Sequence, residues 1–120
     1  MTTIAEIVLV CGGRDYRDYK RIREVLSGIE IDCIVHGGAT GADLLAGEWA
    51  AGKGKPFIVV PANWKAYGKN AGPVRNAWML KYINVTRVVA FPGGRGTENM
   101  VNLAREAGIP VTIWTDDHHA

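Results

Sequence analysis

Cysteine is scarce in this sequence: Cys11 and Cys33 are the only two, and they form no C-x-x-C pair. That excludes a disulfide framework, and both thiols are expected to be reduced, buried small hydrophobes. Histidine is scarcer still in the body of the chain, where His36 stands alone; His118 and His119 lie in the last residues. No metal site and no cofactor is expected from so sparse a set of ligands. Long apolar runs are absent too. None approaches the ~18 residues of a membrane span. The stretch Ile7–Cys11 is too short for a signal-peptide core, and no basic residue precedes it. The expectation is a cytoplasmic protein with no membrane partner. Acidic residues are missing locally: none occurs between Glu48 and Glu98, where eight lysines and arginines do. The net charge is only +2, too small to mark a dedicated DNA binder. Lys53, Lys55, Lys81 and Arg87 read as solvated side chains. Cations that fall in loops at one end of a sheet would instead form an anion site.

Glycine, by contrast, is plentiful. Fifteen glycines in 120 residues exceed the usual ~7%. They cluster rather than repeat, which excludes collagen-like and low-complexity chains. The 48% apolar and 22% charged content is ordinary for a globular protein. The length suits one domain, expected over residues 1–114 with a tail over 115–120. It suffices to bury about two-thirds of the unfolded surface without disulfides or metal.

Strand and helix patterns alternate along the chain. Ile7–Cys11, Cys33–Val35, Phe57–Val60, Arg87–Phe91 and Pro110–Trp114 read as strands. Between them, Tyr19, Ile22, Leu26 and Ile29 recur at helical spacing. So do Ala42, Leu45, Ala46, Trp49 and Ala50, with Gly52 as the stop. Pro73 suits a helix's first turn, with Val74, Ala77, Trp78 and Tyr82 as its apolar stripe. Thr97 can cap a last helix carrying Met100, Val101, Ala104 and Ala107, closed by Gly108. Most strand runs are continuously apolar rather than alternating, which points to a parallel sheet covered on both faces. The predicted fold is a Rossmann-like, doubly wound α/β sheet of five strands, in the order 3-2-1-4-5.

Three strands end in glycine-rich turns that feed into helices: Gly12-Gly13-Arg14-Asp15, His36-Gly37-Gly38-Ala39-Thr40-Gly41-Ala42-Asp43 and Pro92-Gly93-Gly94-Arg95-Gly96-Thr97. In a parallel sheet all three lie at the carboxyl edge, where open α/β sheets bind ligands. Glycine lets backbone approach a ligand, and the helix start offers N–H groups and the positive dipole end. None is a P-loop or a full G-x-G-x-x-G fingerprint. The polar stretch Asn63-Trp64-Lys65-Ala66-Tyr67-Gly68-Lys69-Asn70 reads as a binding loop, with Trp64 and Tyr67 able to stack on a base and Lys65 and Lys69 able to meet phosphate. Trp64 could equally plug the sheet edge.

At these residues the chain resembles the SLOG superfamily (Smf/DprA and LOG), most closely its small YspA-type, YpsA-related branch. GGRDY at 12–16, HGGATGAD at 36–43, AGPVRNAWM at 71–79 and PGGRGT at 92–97 carry the resemblance in order, over nearly the whole chain. It implies a Rossmann-like fold that binds nucleotides or their derivatives. LOG enzymes release the base from a nucleoside 5′-monophosphate, using an Arg of an R-K-x-x-M segment and a Glu three places after the Thr of P-G-G-x-G-T. Arg75-Asn76-Ala77-Trp78-Met79 matches the first with Asn for Lys, and Met100 stands where the glutamate belongs. Glu98 sits about 160° around a helix from position 100. Asp15 or Asp43 could substitute as the acid, although either could equally be a turn or first-turn residue.

The primary expectation is a module that senses or sequesters a phosphorylated nucleotide-derived ligand, such as ADP-ribose, NAD or a nucleoside monophosphate. Its site residues would be Gly12, Gly13, Arg14, Asp15, Gly37, Gly38, Thr40, Gly41, Asp43, Asn63, Trp64, Arg75, Asn76 and the turn Pro92, Gly93, Gly94, Arg95, Gly96, Thr97. Arg14, Arg75 and Arg95 would neutralise phosphate. The alternative is a nucleoside-monophosphate phosphoribohydrolase with Arg75, Asp43 and Glu98 as catalytic residues. A third reading is single-stranded nucleic-acid binding, as in DprA relatives. Trp49, Trp78 and Trp114 are more large aromatics than a small core needs, so a homodimer or higher homo-oligomer is also expected.

Overall fold

The strands form where β-branched residues run together, and the first four are each stopped by glycine or proline within a few residues. In the computed structural model, which describes residues 4–115, the order is β1 (Ile7–Cys11), α1 (Tyr19–Ser27), β2 (Cys33–His36), α2 (Ala42–Gly52), β3 (Phe57–Val59), α3 (Trp64–Tyr67), α4 (Ala71–Tyr82), β4 (Arg87–Ala90), α5 (Arg95–Glu106) and β5 (Val111–Ile113). A 3-10 turn over Gly68–Asn70 joins α3 to α4. Residues 116–120, including His118, His119 and most of the expected tail, lie outside the described residues.

All pairings are parallel and the order is β3-β2-β1-β4-β5, as the sequence pattern predicts. Alternate residues of each strand serve opposite faces. Val8, Val10, Ile34 and Val89 pack with Ile22 and Leu26 of α1 and Ala46 and Trp49 of α2. Leu9, Val35 and Val88 pack on the other face with Met79 of α4 and Met100 and Ala104 of α5. Each fully buried aliphatic side chain stabilises the fold by roughly 1.5–3 kcal/mol before entropy. These two layers hold the three glycine turns at one edge. No helix of the described residues is long and apolar enough to cross a membrane.

Three expectations need correction. The stripe on α4 is turned: Val74, Trp78 and Tyr82 are 40%, 47% and 62% exposed, while Ala71, Gly72, Asn76 and Met79 face inward. The inward face of α4 is polar in part because it lines a cleft. Thr97 is no cap: α5 starts at Arg95 with Gly94 as its N-cap, so Thr97 lies in the first turn. Finally, the loop after β3 contains the short helix α3, capped by Asn63, whose Oδ1 accepts the Ala66 N–H at 3.0 Å.

Candidate functional site

The glycine turns pack on one another before they meet any ligand. The Gly13 N–H donates to the Pro92 carbonyl at 2.7 Å, and the Ala42 N–H donates to the Gly13 carbonyl at 3.2 Å. A Cβ on Gly12 would collide with Ala42 and Phe91, one on Gly41 with Gly13 and Arg14, and one on Gly93 with Thr97 and Gly13. Gly38 and Gly41 also need positive φ, at 78° and 81°. Close packing of turn on turn therefore explains Gly12, Gly13, Gly41 and Gly93.

Above these turns opens a cleft of about 460 Å³ at the carboxyl edge. Gly12, Gly13 and Arg14 enter it from the β1 turn, Gly37 and Asp43 from the β2 turn and α2, and Trp64 and Lys69 from the segment around α3. Arg75 and Asn76 enter from α4, and Gly94, Arg95, Gly96 and Thr97 from α5. Asp15, Gly38, Thr40, Gly41, Asn63, Pro92, Gly93 and Glu98 do not line it. Thr40 instead donates its hydroxyl to the Arg14 carbonyl at 3.2 Å, and Asn63 serves as the α3 cap. Asp15 is exposed. Pro92, Gly93 and Glu98 border a second depression on the far side of the α5 start.

Arg75 is held in place from three sides. Its Nη1 donates to the carbonyls of Gly37 (2.7 Å) and Val60 (3.1 Å), and its Nε donates to Asn76 Oδ1 at 2.8 Å. Asn76 is itself 4% exposed and donates through Nδ2 to Asn99 Oδ1 at 3.0 Å and to the Gly96 carbonyl at 3.3 Å. One chain of hydrogen bonds thus ties the guanidinium to the first turn of α5. Asn99, which no sequence signal singled out, closes that chain. Asp43 is 6% exposed, and its Oδ2 accepts the Gly37 N–H at 3.0 Å. A Cβ on Gly37 would strike the Arg75 guanidinium and press on Asp43, so glycine here lets the cation and the carboxyl flank the same peptide.

Burial dominates the titration of this floor. Desolvation raises Asp43 from 3.8 to about 6, against hydrogen bonds from Gly37 and Ala39 and the charges of Arg75 and Arg14. Burial likewise lowers the Arg75 guanidinium, and the Asp43 charge opposes that shift. Cys11 lines the cleft as well as the core, and its thiol is pushed up to about 12 by burial first and Asp43 second, which makes it unreactive. His36 supports the floor from below. It is 3% exposed, its Nδ1 accepts the Gly38 N–H at 3.0 Å, and its ring stacks on Phe57 at 6.1 Å. Burial and the Arg75 charge lower its pKa. At the rim, the Arg14 guanidinium carbon lies 5.5 Å from the Trp64 ring centre, a cation–π contact between the β1 turn and α3. Met100, 1% exposed, lines the cleft where a LOG enzyme would present glutamate.

Sheet order and a cation-lined cleft at the switch between β1 and β4 define a Rossmann-like α/β protein with its site at the carboxyl edge. The chain belongs to the YspA, cpYpsA-related SLOG family, whose model matches residues 6–67. It is 37% identical to the Gene 61 protein of Mycobacterium phage D29, over 91% of this chain and 96% of that one. Among solved structures it is similar to the molybdenum cofactor binding protein of Rippkaea orientalis (TM-score 0.64, 19% identity, 97% of this chain and 80% of that one). It is also similar to the C-terminal domain of a Pyrococcus furiosus hydrogenase (TM-score 0.55, 16% identity, 95% and 96%). At these identities the two structures speak for the fold.

Proposed function

We propose that the cleft binds a phosphorylated nucleotide or nucleotide-derived ligand, of the ADP-ribose, NAD or nucleoside monophosphate kind, and that the protein senses or sequesters it without turnover. One observation carries this reading: Arg14, Lys69, Arg75 and Arg95 line a single cleft whose one carboxyl, among the described residues, is Asp43. Arg75 is oriented by its neighbours before a ligand arrives, so little side-chain entropy is lost on binding. The first turn of α5 offers N–H groups and the positive end of a helix to phosphate. Trp64 offers an aromatic face to a base. The reading without turnover is supported by Met100, which offers no carboxylate to steady an oxocarbenium-like centre or to activate water.

A second reading, a nucleoside-monophosphate phosphoribohydrolase, is favoured by one specific observation. Asp43 lines the cleft and titrates near 6, which suits a general acid or base. Native mass spectrometry of freshly purified protein, followed by a nucleotide panel with analysis of the small molecules, separates the two. An intact nucleotide that is retained and emerges unchanged is the expected result. Release of free base and ribose phosphate favours the enzyme. Arg75→Ala should weaken binding by about 10- to 100-fold, from the roughly 1.5–3 kcal/mol of a hydrogen bond to a charged group; unchanged affinity overturns the assignment. Tight oligonucleotide binding that collapses with salt would instead favour a nucleic-acid surface built on Lys65, Lys69 and Trp64.

A further inference from the structure

We infer that the ligand is bipartite: a nucleoside diphosphate whose second phosphate carries a further sugar or nucleoside, laid across the start of α5 so that its halves occupy two cavities. This rests on the nucleotide reading above and adds a second half-site. The cleft of about 460 Å³ lies on one side of the α5 start, and a depression of about 750 Å³ lies on the other. Each falls within the roughly 300–1,000 Å³ of small-molecule sites. They share only Gly94, Arg95 and Thr97, so a ligand filling both must cross that ridge.

The ridge is unusual in its glycines. Gly12, Gly13 and Gly93 are glycine because neighbouring turns leave no room for a Cβ. Gly94 and Gly96 have open space where a Cβ would stand, and neither has positive φ. Gly94 is the α5 N-cap, with ψ at −141° outside the ordinary extended region, so the fold itself favours glycine there; nothing in the packing requires glycine at Gly96, where, inside α5, it costs helix stability. A ligand lying on the backbone does require it.

Charge then divides the two sides. The cleft holds four cations against one carboxyl, which suits the phosphates. Beyond the shared Arg95, the far depression sets Arg105 against Glu98 and adds Asn102 on the same face of α5, above an apolar wall of Phe91, Val101 and Ile113. A balanced, hydrogen-bonding and partly apolar surface suits an uncharged sugar or nucleoside, and Glu98 can accept from its hydroxyls.

The test is calorimetric titration of the whole chain with base-matched pairs: AMP and ADP-ribose, GMP and GDP-mannose, UMP and UDP-glucose, CMP and CDP-glucose. For at least one base, the diphosphate derivative should bind tenfold or more tightly than its monophosphate. Asn102→Trp, an exposed change that fills the far depression, should bring the derivative down to the affinity of the monophosphate and leave the monophosphate unaltered. Circular dichroism confirms that the variant is folded, and Asn102→Ala, which leaves the depression open, should keep at least part of the preference. Equal binding of both members of every pair overturns the bipartite ligand and leaves the nucleotide reading intact. A preference that survives Asn102→Trp overturns the second half-site. No binding by any member removes the nucleotide reading, and this inference with it.

Discussion

Asp43→Asn should change how the stability of this protein depends on pH. Asp43 is 6% exposed, and burial raises its pKa from 3.8 to about 6. In the unfolded chain the same carboxyl titrates at about 3.9. Between those values the folded protein keeps a proton that the unfolded chain releases, so raising the pH through that window favours unfolding. At about 1.4 kcal/mol per pH unit of displacement, the rise from 3.8 to about 6 amounts to about 3 kcal/mol of stability lost between pH 4 and pH 7. Asparagine carries no charge. It loses one acceptor oxygen against the N–H groups of Gly37 and Ala39, a cost that does not vary with pH. Urea denaturation of both proteins at intervals from pH 4 to pH 7 gives the comparison. Interactions common to both proteins, such as the Glu6–Arg87 ion pair at 3.3 Å, cancel in the comparison. The stability of the variant relative to wild type should climb by about 3 kcal/mol over that range. Parallel curves, or a gap that closes as the pH rises, would refute the reasoning.

Gly96→Ala should raise stability by up to about 1 kcal/mol, since alanine is the better helix former and nothing crowds the position. The same change should weaken nucleotide binding; calorimetry showing unchanged affinity would remove the glycine from the site. Trp49 is 2% exposed and its Nε1 is buried with no hydrogen-bond partner among the described residues. Trp49→Phe should therefore stay within about 1.5 kcal/mol of wild type and Trp49→Ala should cost about 3–5 kcal/mol, both read from chemical denaturation. We also propose that two copies associate through the β3 edge, where Phe57, Ile58 and Val59 are 44%, 40% and 44% exposed. An open strand edge of this kind invites pairing across a two-fold axis. Light scattering at micromolar protein should give a dimer mass, and a monomer mass rejects it.

The strand order was legible because continuous apolar runs and short connections leave few parallel topologies. Helix faces were less so. Val74, Trp78 and Tyr82 are the apolar residues of α4 at helical spacing, yet the helix turns Asn76 inward to hydrogen-bond Asn99 and Gly96. Periodicity weighs hydrophobicity and has no means of seeing a satisfied polar network. The cleft was half legible. Arg75, Asp43 and the α5 turn reach it as residue type and position suggested. Gly38, Gly41 and Gly93 read equally well as ligand glycines until the packing of turn on turn shows what fills the space beside them. Asn99 gave no signal, because its role exists only through contact with a residue on another helix.

The bond from Gly13 to the Pro92 carbonyl joins two turns that lie about two-thirds of the chain apart. β1 is the central strand, and its second edge stays open until β4 exists to fill it. A ribosome that has delivered the chain only as far as α3 has produced two of the three turns and none of Arg75, Arg95 or the α5 backbone. A nascent chain of that length has no cleft to offer. On the proposed reading, the cleft forms only once β4 and α5 have joined the sheet, and a bound nucleotide would report that they have.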